Sequence, residues 1–279
     1  MAIDFTNTLN LLACKDADER RSAMEEALHR ARLPYTVQDE PPNKKKLRFA
    51  KNFLVKIGDK DLPCVLFCAH YDAMQGSFGA NDNAAAVSVL LRLAQSLQES
   101  GATAEFAFFD AEESGRAGSK LYVKELLKGS VNAVINLDLC GYGDTIALLD
   151  KGHNKKRALQ QYCNKEILAK HNAQSVKYLP ESDDVSFRNA QIPYTSIAVV
   201  PRWDIQYLNA LSTYGGAFFG ARTPEFDMIM GQLEVVSTMH GGYRDTIESI
   251  QPSAMQQIYD FLLDAFTEEP KAKHKWFAK

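Results

Sequence analysis

The sequence predicts an α/β fold, a single domain over residues 1–279 with a mixed, largely parallel central sheet flanked by helices. Three short apolar runs, each bounded by polar residues, have the length and composition of strands that are buried on both faces. Segments of helical character at 83–97 and 115–127 separate these runs. An alternation of strands and helices is typical of a parallel sheet covered by helices. The three runs are Pro63–Ala69, Phe106–Phe109 and Ala133–Leu137.

The remainder of the chain supplies the flanking elements. Apolar residues at helical spacing predict an amphipathic helix over Leu11–Leu33, and a Pro-rich turn at 40–43 precedes a strand over Leu47–Ile57. No Gly-, Ser- or Pro-rich linker divides the chain, so a single domain is expected. The later patterns predict a helix over Lys155–Lys170, a strand over Tyr194–Val200, a long loop over Arg202–Thr223 and a helix over Pro252–Phe266.

The composition excludes several classes of protein. With 46% apolar and 24% charged residues and a net charge of −3, the chain has a globular composition and no charge bias toward nucleic acid. No apolar run approaches the roughly 18 residues of a membrane span, and Met1–Asn10 lacks the pattern of a signal peptide. The five cysteines are scattered along the chain. Cys64, Cys68 and Cys140 lie in apolar, strand-like segments, so we expect them to be small buried side chains of the core. These features predict a reduced, cytoplasmic protein that does not bind membranes.

Polar side chains that can bind metal follow each of the three apolar runs. The carboxyl ends of parallel strands meet at one edge of a sheet, which is where open α/β sheets bind ligands. We therefore expect these side chains to lie close together. They are His70 and Asp72 after the first run, Asp110, Glu112 and Glu113 after the second, and Asp138 after the third.

Asp82 adds a further carboxylate, because it lies just before the first crossover helix and so at the same edge. Carboxylates placed within a few ångströms of one another repel, and one of them would have to take up a proton. Divalent cations remove this conflict. Histidine and carboxylate ligands without a thiolate suit zinc in a catalytic site.

Of the six histidines, one other than His70 is a candidate ligand. His240 lies in a segment with two glycines, which permit close approach of the backbone, and Asp245 could orient this loop. The other four lie in polar surroundings and are expected to be solvated. They are His29, His153, His171 and His274.

With these residues assembled, the sequence resembles the M28 family of zinc-dependent aminopeptidases, which are co-catalytic two-zinc exopeptidases. The resemblance runs from about His70 to Asp245, and its motifs occur in the order of the family, so chance is a poor explanation. It implies a zinc-exopeptidase (phosphorylase/hydrolase-like) fold. The matching segments are His70-Tyr71-Asp72, Gly79-Ala80-Asn81-Asp82-Asn83, Phe109-Asp110-Ala111-Glu112-Glu113, Asn136-Leu137-Asp138, Ser182-Asp183-Asp184-Val185-Ser186-Phe187, and His240 upstream of Asp245-Thr246.

The resemblance also implies roles for these residues. Two zinc ions would be bound, although Mn²⁺ or Co²⁺ can satisfy similar ligands. Asp82 would bridge the two ions, and Glu112 would be the general base that takes a proton from water and passes it to the leaving amine. Asp72 would hydrogen-bond to His70 and fix its tautomer. The implied ligands are His70, Asp82, Glu113, Asp138 and His240, with the pairing of ligands to ions left open.

Other implications concern the surroundings of the site. The family tends to carry a cis peptide after the bridging carboxylate, here Asp82–Asn83. Asp183 is either a substrate contact or a cap for a helix that begins near Val185. Asp184 stands where the family usually has His, and the spacing from His240 to Asp245 is one residue longer than usual. Tyr207, Tyr214, Phe218 and Phe219 line a side-chain pocket or pack in the core.

The implied activity is hydrolysis of peptides that have a free N-terminus. Three alternatives stay open at this stage. The first is a glutaminyl-cyclase-like transferase, which resembles aminopeptidases in this region but uses one zinc ion. The second is a carboxypeptidase, in which Arg202 or Arg222 would bind the substrate carboxylate. The third is a non-catalytic binding protein. The sequence specifies neither the preferred N-terminal residue nor the oligomeric state.

Overall fold

The structure is a computed structural model, and it describes residues 3–40, 49–150, 157–214 and 223–267. One sheet runs through these residues. Its strands are β1 (Thr36–Asp39), β2 (Lys51–Ile57), β3 (Cys64–His70), β4 (Ala104–Phe109), β5 (Val131–Leu137), β6 (Thr145–Leu149), β7 (Ala173–Val176) and β8 (Tyr194–Val200).

The strands lie in the order β1-β2-β4-β3-β5-β8-β6-β7. The central strands β4, β3, β5 and β8 are parallel to one another. Towards the edges the pairing changes, because β2 is antiparallel to both β1 and β4, and β6 is antiparallel to β8. The predicted fold class is therefore confirmed. The three apolar runs are β3, β4 and β5, which lie side by side in the centre of the sheet.

Helices cover both faces of the sheet. Strand β3 shows why, since Phe67 and Ala69 belong to one apolar cluster whereas Leu66 and Cys68 belong to the other. The helices are α1 (Phe5–Leu12), α2 (Ala17–Ala31), α3 (Ala85–Glu99), α4 (Ala117–Glu125), α5 (Lys165–Lys170), α6 (Asp184–Asn189), α7 (Asp204–Tyr214), α8 (Pro224–Met230) and α9 (Pro252–Thr267). The first cluster includes residues of α1, α2, α3 and α9, and the second includes residues of α4, α6, α7 and α8.

The first predicted helix is wrong in its bounds. The predicted helix over Leu11–Leu33 is two helices, α1 and α2, that are separated at residues 13–16. The break occurs because the Asp16 side chain accepts hydrogen bonds from the backbone N–H groups of Asp18 and Glu19 and so starts α2.

Two later expectations also need correction. The loop predicted over Arg202–Thr223 is helical over α7, where Ile205, Leu208 and Leu211 are buried at helical spacing. The helix predicted over Lys155–Lys170 is described from residue 157 onward. In that described part only Lys165–Lys170 is α-helical, and it starts at the side-chain cap Asn164. The short strands β1, β6 and β7 were not anticipated.

Among the histidines, the expectation for His171 is wrong. Its side chain is 8% exposed, and its Nε2 lies 2.7 Å from Asp264 Oδ2 on α9. His29 is exposed as expected, and His153 and His274 lie outside the described residues. Cys64, Cys68 and Cys140 are buried as predicted and carry free thiols. No helix within the described ranges combines the length and apolar character needed to cross a bilayer.

Candidate active site

The parallel centre of the sheet brings the predicted site residues to one edge. Strand β3 ends at His70, and β5 ends one residue before Asp138. Strand β4 lies beside β3, and the tight turn that follows it carries Glu112 and Glu113. The carboxyl ends of three neighbouring strands therefore supply most of the site.

One group of side chains contains His70, Asp82 and Asp138. The Nε2 atom of His70 lies 3.2 Å from Asp82 Oδ1 and 3.7 Å from Asp138 Oδ1. One donor atom from each of the three residues lies within 4.8 Å of the others. These residues come from segments that are far apart in the sequence, yet their donor atoms face a common point.

A second group contains Asp82, Glu113 and His240, and its donor atoms also lie within 4.8 Å of one another. The Nε2 atom of His240 lies 3.9 Å from Glu113 Oε2. The backbone N–H of His240 donates a hydrogen bond of 2.8 Å to Asp82 Oδ2. Asp82 thus belongs to both groups, with one carboxylate oxygen beside His70 and the other beside the His240 backbone.

The segment that carries Asp82 is held by hydrogen bonds from two directions. The peptide bond between Asp82 and Asn83 is cis, as the family resemblance implied. Asp245 Oδ1 accepts hydrogen bonds from the backbone N–H groups of Asn81 (2.9 Å) and Asp82 (3.2 Å). Asn83 donates to the carbonyl of Leu137 at 3.0 Å, which ties the segment to the end of β5.

Asp245 was expected to orient the His240 loop, and the structure shows that it does more. Its Oδ2 atom accepts a 2.6 Å hydrogen bond from Ser77 Oγ, so Asp245 joins the His240 loop to the segment before Asp82. Asn81 adds a second connection, because it donates to Thr238 Oγ1 at 2.7 Å and accepts from the Gly141 N–H at 2.6 Å. Apart from its place in the matched motif, Asn81 carries no sequence signal that would have predicted these two contacts.

Asp72 contacts His70 and also holds the pair of glutamates. The Nδ1 atom of His70 lies 3.1 Å from the Asp72 carbonyl oxygen and 3.4 Å from Asp72 Oδ1. The Asp72 carboxylate also accepts hydrogen bonds from the backbone N–H groups of Glu112 (3.0 Å) and Glu113 (3.2 Å). This second contact was not anticipated, since it involves backbone groups of another strand end.

The carboxylates of the site perturb one another. Burial, with the charges of neighbouring carboxylates, raises the pKa of Glu112 to about 9 and that of Glu113 to about 8. Burial alone would lower the pKa of His70, but Asp138, Asp72 and Asp82 hold it well above its ordinary value. The metal-free site therefore retains protons that the same side chains would release in water.

This proton uptake predicts how the metal-free protein responds to pH. Between about pH 5 and pH 8 the folded chain holds protons on Glu112 and Glu113 that the unfolded chain has released, so stability falls as pH rises. The raised pKa of His70 acts in the same direction, because its contribution is lost as pH rises through the folded-state value. Thermal melting of chelator-treated protein across this range should show a falling melting temperature.

Saturating zinc is the control for this prediction. Metal replaces the retained protons, so the metal-loaded protein should lose this decline. A metal-free protein that is most stable at pH 8 would contradict the arrangement of charges described here.

The donors fit a metal centre. Glu113 Oε1 and Asp138 Oδ1 are buried and have no hydrogen-bond partner among the described residues. Buried carboxylate oxygens are rarely left in this state without a cation. Two imidazoles with three carboxylates and no thiolate form a ligand set suited to zinc in an open, reactive site.

Asp183 and Asp110 occupy different environments. Asp183 is fully buried, and neither of its carboxylate oxygens has a hydrogen-bond partner among the described residues. Its side chain makes no bond to the start of α6, so it does not cap that helix. Asp110 instead binds Arg21 Nε at 2.9 Å and the Lys51 N–H at 3.2 Å, which ties α2 to the sheet.

The aromatic residues proposed for a side-chain pocket are only partly described. Tyr207 packs against the apolar cluster that includes α7, and Tyr214 is exposed at the end of that helix. Phe218 and Phe219 lie outside the described residues. A cavity of about 700 Å³ does open beside the site, and its wall includes Asp72, Met74 and Glu113.

An open α/β sheet with His and carboxylate donors at the carboxyl ends of its parallel strands can hold catalytic metal ions, as the site of a metallopeptidase requires. The chain belongs to peptidase family M28, whose family model matches residues 52–266. Among curated proteins, the aminopeptidase YwaD of Bacillus subtilis is 43% identical over 84 residues, which are 28% of this chain and 18% of YwaD. The vacuolar membrane protease of Kluyveromyces lactis is 35% identical over 103 residues, 36% of this chain and 11% of that protein. The aligned region is thus a small part of each relative.

Solved structures share the fold at lower identity. The zinc aminopeptidase BSAP from Bacillus subtilis superposes with a TM-score of 0.58 at 22% identity, over 79% of this chain and 50% of that chain. The glutaminyl cyclase of Porphyromonas gingivalis gives a TM-score of 0.67 at 16% identity, over 94% of both chains. The fold is therefore common to peptidases and to a cyclase.

Proposed function

We propose that this chain is a zinc-dependent aminopeptidase, which hydrolyses the peptide bond that follows a free N-terminal residue. One observation carries the proposal, which is that Asp82 belongs to both groups of three donors. Glu112, which belongs to neither group, directly precedes the donor Glu113. The aminopeptidase relative YwaD supports the choice of reaction. A peptide with a free N-terminus is the proposed substrate.

Two ions would occupy the two donor groups. His70, Asp82 and Asp138 would hold one, and Asp82, Glu113 and His240 the other, and the two donor groups support this pairing where the sequence left it open. Zinc ions bound there would polarise the scissile carbonyl and lower the pKa of water towards 7. Mn²⁺ or Co²⁺ would suit the same donors.

Glu112 is the proposed general base. It belongs to neither donor group, and Asp72 fixes its backbone through the 3.0 Å hydrogen bond to its N–H. Its pKa is raised to about 9 in the metal-free protein, mainly by burial, so the carboxyl group has a high proton affinity. A cation beside it would bring this pKa down towards the working pH, where it can accept a proton and return it to the leaving amine.

Asp183 is the proposed contact for the substrate ammonium group. Burial raises its pKa to about 7, while the positive charge of His70 opposes that shift. The nearby Ser119 hydroxyl also lowers the pKa of Asp183. The hydrogen bond of that hydroxyl, however, is with Ser186 Oγ at 2.8 Å, so the Asp183 oxygens are left without a partner among the described residues. A buried carboxylate with unsatisfied oxygens is suited to a cationic group that arrives with the substrate.

The Asp183→Asn variant should lower kcat/KM roughly 10- to 100-fold, because a hydrogen bond to a charged group contributes about 1.5–3 kcal/mol. Steady-state kinetics on leucyl-p-nitroanilide would measure this loss. Asp184→Asn is the matched control, since among the described residues the Asp184 carboxylate has one hydrogen bond, which it accepts from the Ser182 N–H at 2.9 Å. Equal losses in both variants would refute the ammonium contact.

One substrate panel separates the alternatives. An aminopeptidase should cleave leucyl-p-nitroanilide and fail on N-acetyl peptides, whereas a carboxypeptidase should accept the acetylated peptides. A glutaminyl-cyclase-like enzyme should instead convert N-terminal glutamine to a cyclic product. The presence of two donor groups favours hydrolysis, because the glutaminyl-cyclase-like alternative considered from the sequence would use a single zinc ion. No turnover of any of these substrates would favour a binding protein.

The structure describes one of the two arginines considered for a carboxypeptidase. Arg202 is exposed, and its backbone N–H donates to Asp144, while Arg222 lies outside the described residues. The cytoplasmic location expected from the sequence stays a prediction, since a vacuolar membrane protease is among the relatives.

A further inference from the structure

A buried arginine lies behind the candidate site. Arg20 is on α2, outside the residues that the family model matches, and is only 2% exposed. No carboxylate among the described residues lies within ion-pair distance of its guanidinium. A buried cation is costly unless its donors are satisfied, so the groups that satisfy them indicate its role.

All the hydrogen bonds of the Arg20 side chain in the described structure go to backbone carbonyls. Its Nη2 donates to Cys14 at 2.7 Å and to Phe78, and its Nη1 lies 3.5 Å from the carbonyl oxygen of Tyr71. The carbonyls of Tyr71 and Phe78 lie at the two ends of the loop over residues 71–78. Arg20 therefore joins both ends of this loop to α2.

The loop leads directly to the site at each end. Asp72, which accepts hydrogen bonds from the N–H groups of Glu112 and Glu113, follows Tyr71. Gly79 follows Phe78, and a Cβ atom there would lie 2.9 Å from Arg20 Nη2 and 2.7 Å from the Asp82 carbonyl oxygen. The guanidinium thus packs against the segments that carry both Asp72 and Asp82.

Electrostatics supports the same placement. Burial lowers the pKa of Arg20, and the charges of Asp72, Asp245 and Asp82 oppose this shift. The positive charge of the guanidinium thus offsets part of the mutual repulsion of these carboxylates.

From these contacts we propose that Arg20 is a positioning residue, which holds the loop over residues 71–78 and, through Asp72, the backbone of Glu112 and Glu113. For its catalytic consequence this inference rests on the proposed function. The placement of the backbone amides does not depend on that function.

The test uses the Arg20→Met variant of the full chain. Hydrogen exchange in the metal-free protein should be at least tenfold faster in peptides that cover residues 71–79 and 110–114. In the zinc-loaded protein, kcat on leucyl-p-nitroanilide should fall roughly 10- to 100-fold with KM changed less than threefold, which is typical of lost support for a metal site. Arg20→Lys should change both measurements in the same direction by a smaller factor, because one ammonium cannot span the three carbonyls.

Leu28→Ala is the matched control on the same helix, since Leu28 is fully buried and its apolar side chain makes none of the hydrogen bonds to the loop, so its loss removes packing of α2 alone. Leu28→Ala should leave the hydrogen-exchange rates of these peptides and kcat within threefold of the values for the unmodified protein.

Unchanged exchange or kcat in Arg20→Met would overturn the proposal, as would equal changes in Leu28→Ala. If Arg20→Met does not fold, unchanged exchange in Arg20→Lys overturns it equally. If the unmodified chain cleaves no aminoacyl substrate, the proposed function fails, and exchange alone decides the role of Arg20.

Discussion

Replacing Glu112 by glutamine should lower kcat roughly 10²- to 10⁴-fold while the protein still binds its metal, because the amide cannot accept a proton. The variant keeps the shape of the side chain and the backbone hydrogen bond to Asp72. Glu112 belongs to neither donor group, so metal content should not change. Kinetics on leucyl-p-nitroanilide and metal analysis of the same preparation would measure both quantities.

The neighbouring residue provides the matched control. Glu113 belongs to the donor group with Asp82 and His240, so Glu113→Gln should weaken metal binding as well as activity. The two adjacent variants should thus differ in metal content although both lose activity. A Glu112→Gln protein that retains metal and near-normal kcat would remove the general base from the mechanism.

Replacing Asp82 by asparagine should have the largest effect on metal content, because this carboxylate contributes to both donor groups. We expect the variant to lose most of both metal ions. Its kcat/KM should fall by more than roughly 10³-fold, because activation of water by the metal and proton transfer to Glu112 are then both lost. Metal analysis after dialysis against a micromolar zinc buffer would give the stoichiometry.

Asp138→Asn is the control for Asp82→Asn. Asp138 belongs only to the group with His70, so its loss should weaken one ion and leave the other in place. Stoichiometries near zero for Asp82→Asn and near one for Asp138→Asn are the expected pattern. Two ions retained by Asp82→Asn would contradict a shared ligand.

The sequence predicts the centre of the fold well because its strands are buried on both faces. The runs that become β3, β4 and β5 have no polar face, so burial and composition identify them directly. Strands at the sheet edges are short and partly exposed, and β1 and β7 carry no comparable pattern. Helix α7 was missed because Gly215 and Gly216 and the aromatic residues around them suggested a loop, although its buried leucines are at helical spacing.

The candidate ligands were predictable because each follows a strand that can be recognised. The structure then adds contacts that no single segment encodes. The Asp72 carboxylate accepts a hydrogen bond from the Glu112 N–H, and the Asp245 carboxylate accepts one from the Asp82 N–H. Both depend on tertiary packing. Arg20 escaped notice for the same reason, since its helix carries many charged side chains and nothing in the sequence distinguishes the buried one.

The most direct test of a two-ion aminopeptidase site is titration of the metal-free protein with zinc while the hydrolysis of leucyl-p-nitroanilide is followed. We predict that the rate rises until about two equivalents are bound, and that the N-acetylated substrate stays intact throughout. Full activity with one equivalent or without metal, or cleavage of the acetylated substrate at a similar rate, would contradict it.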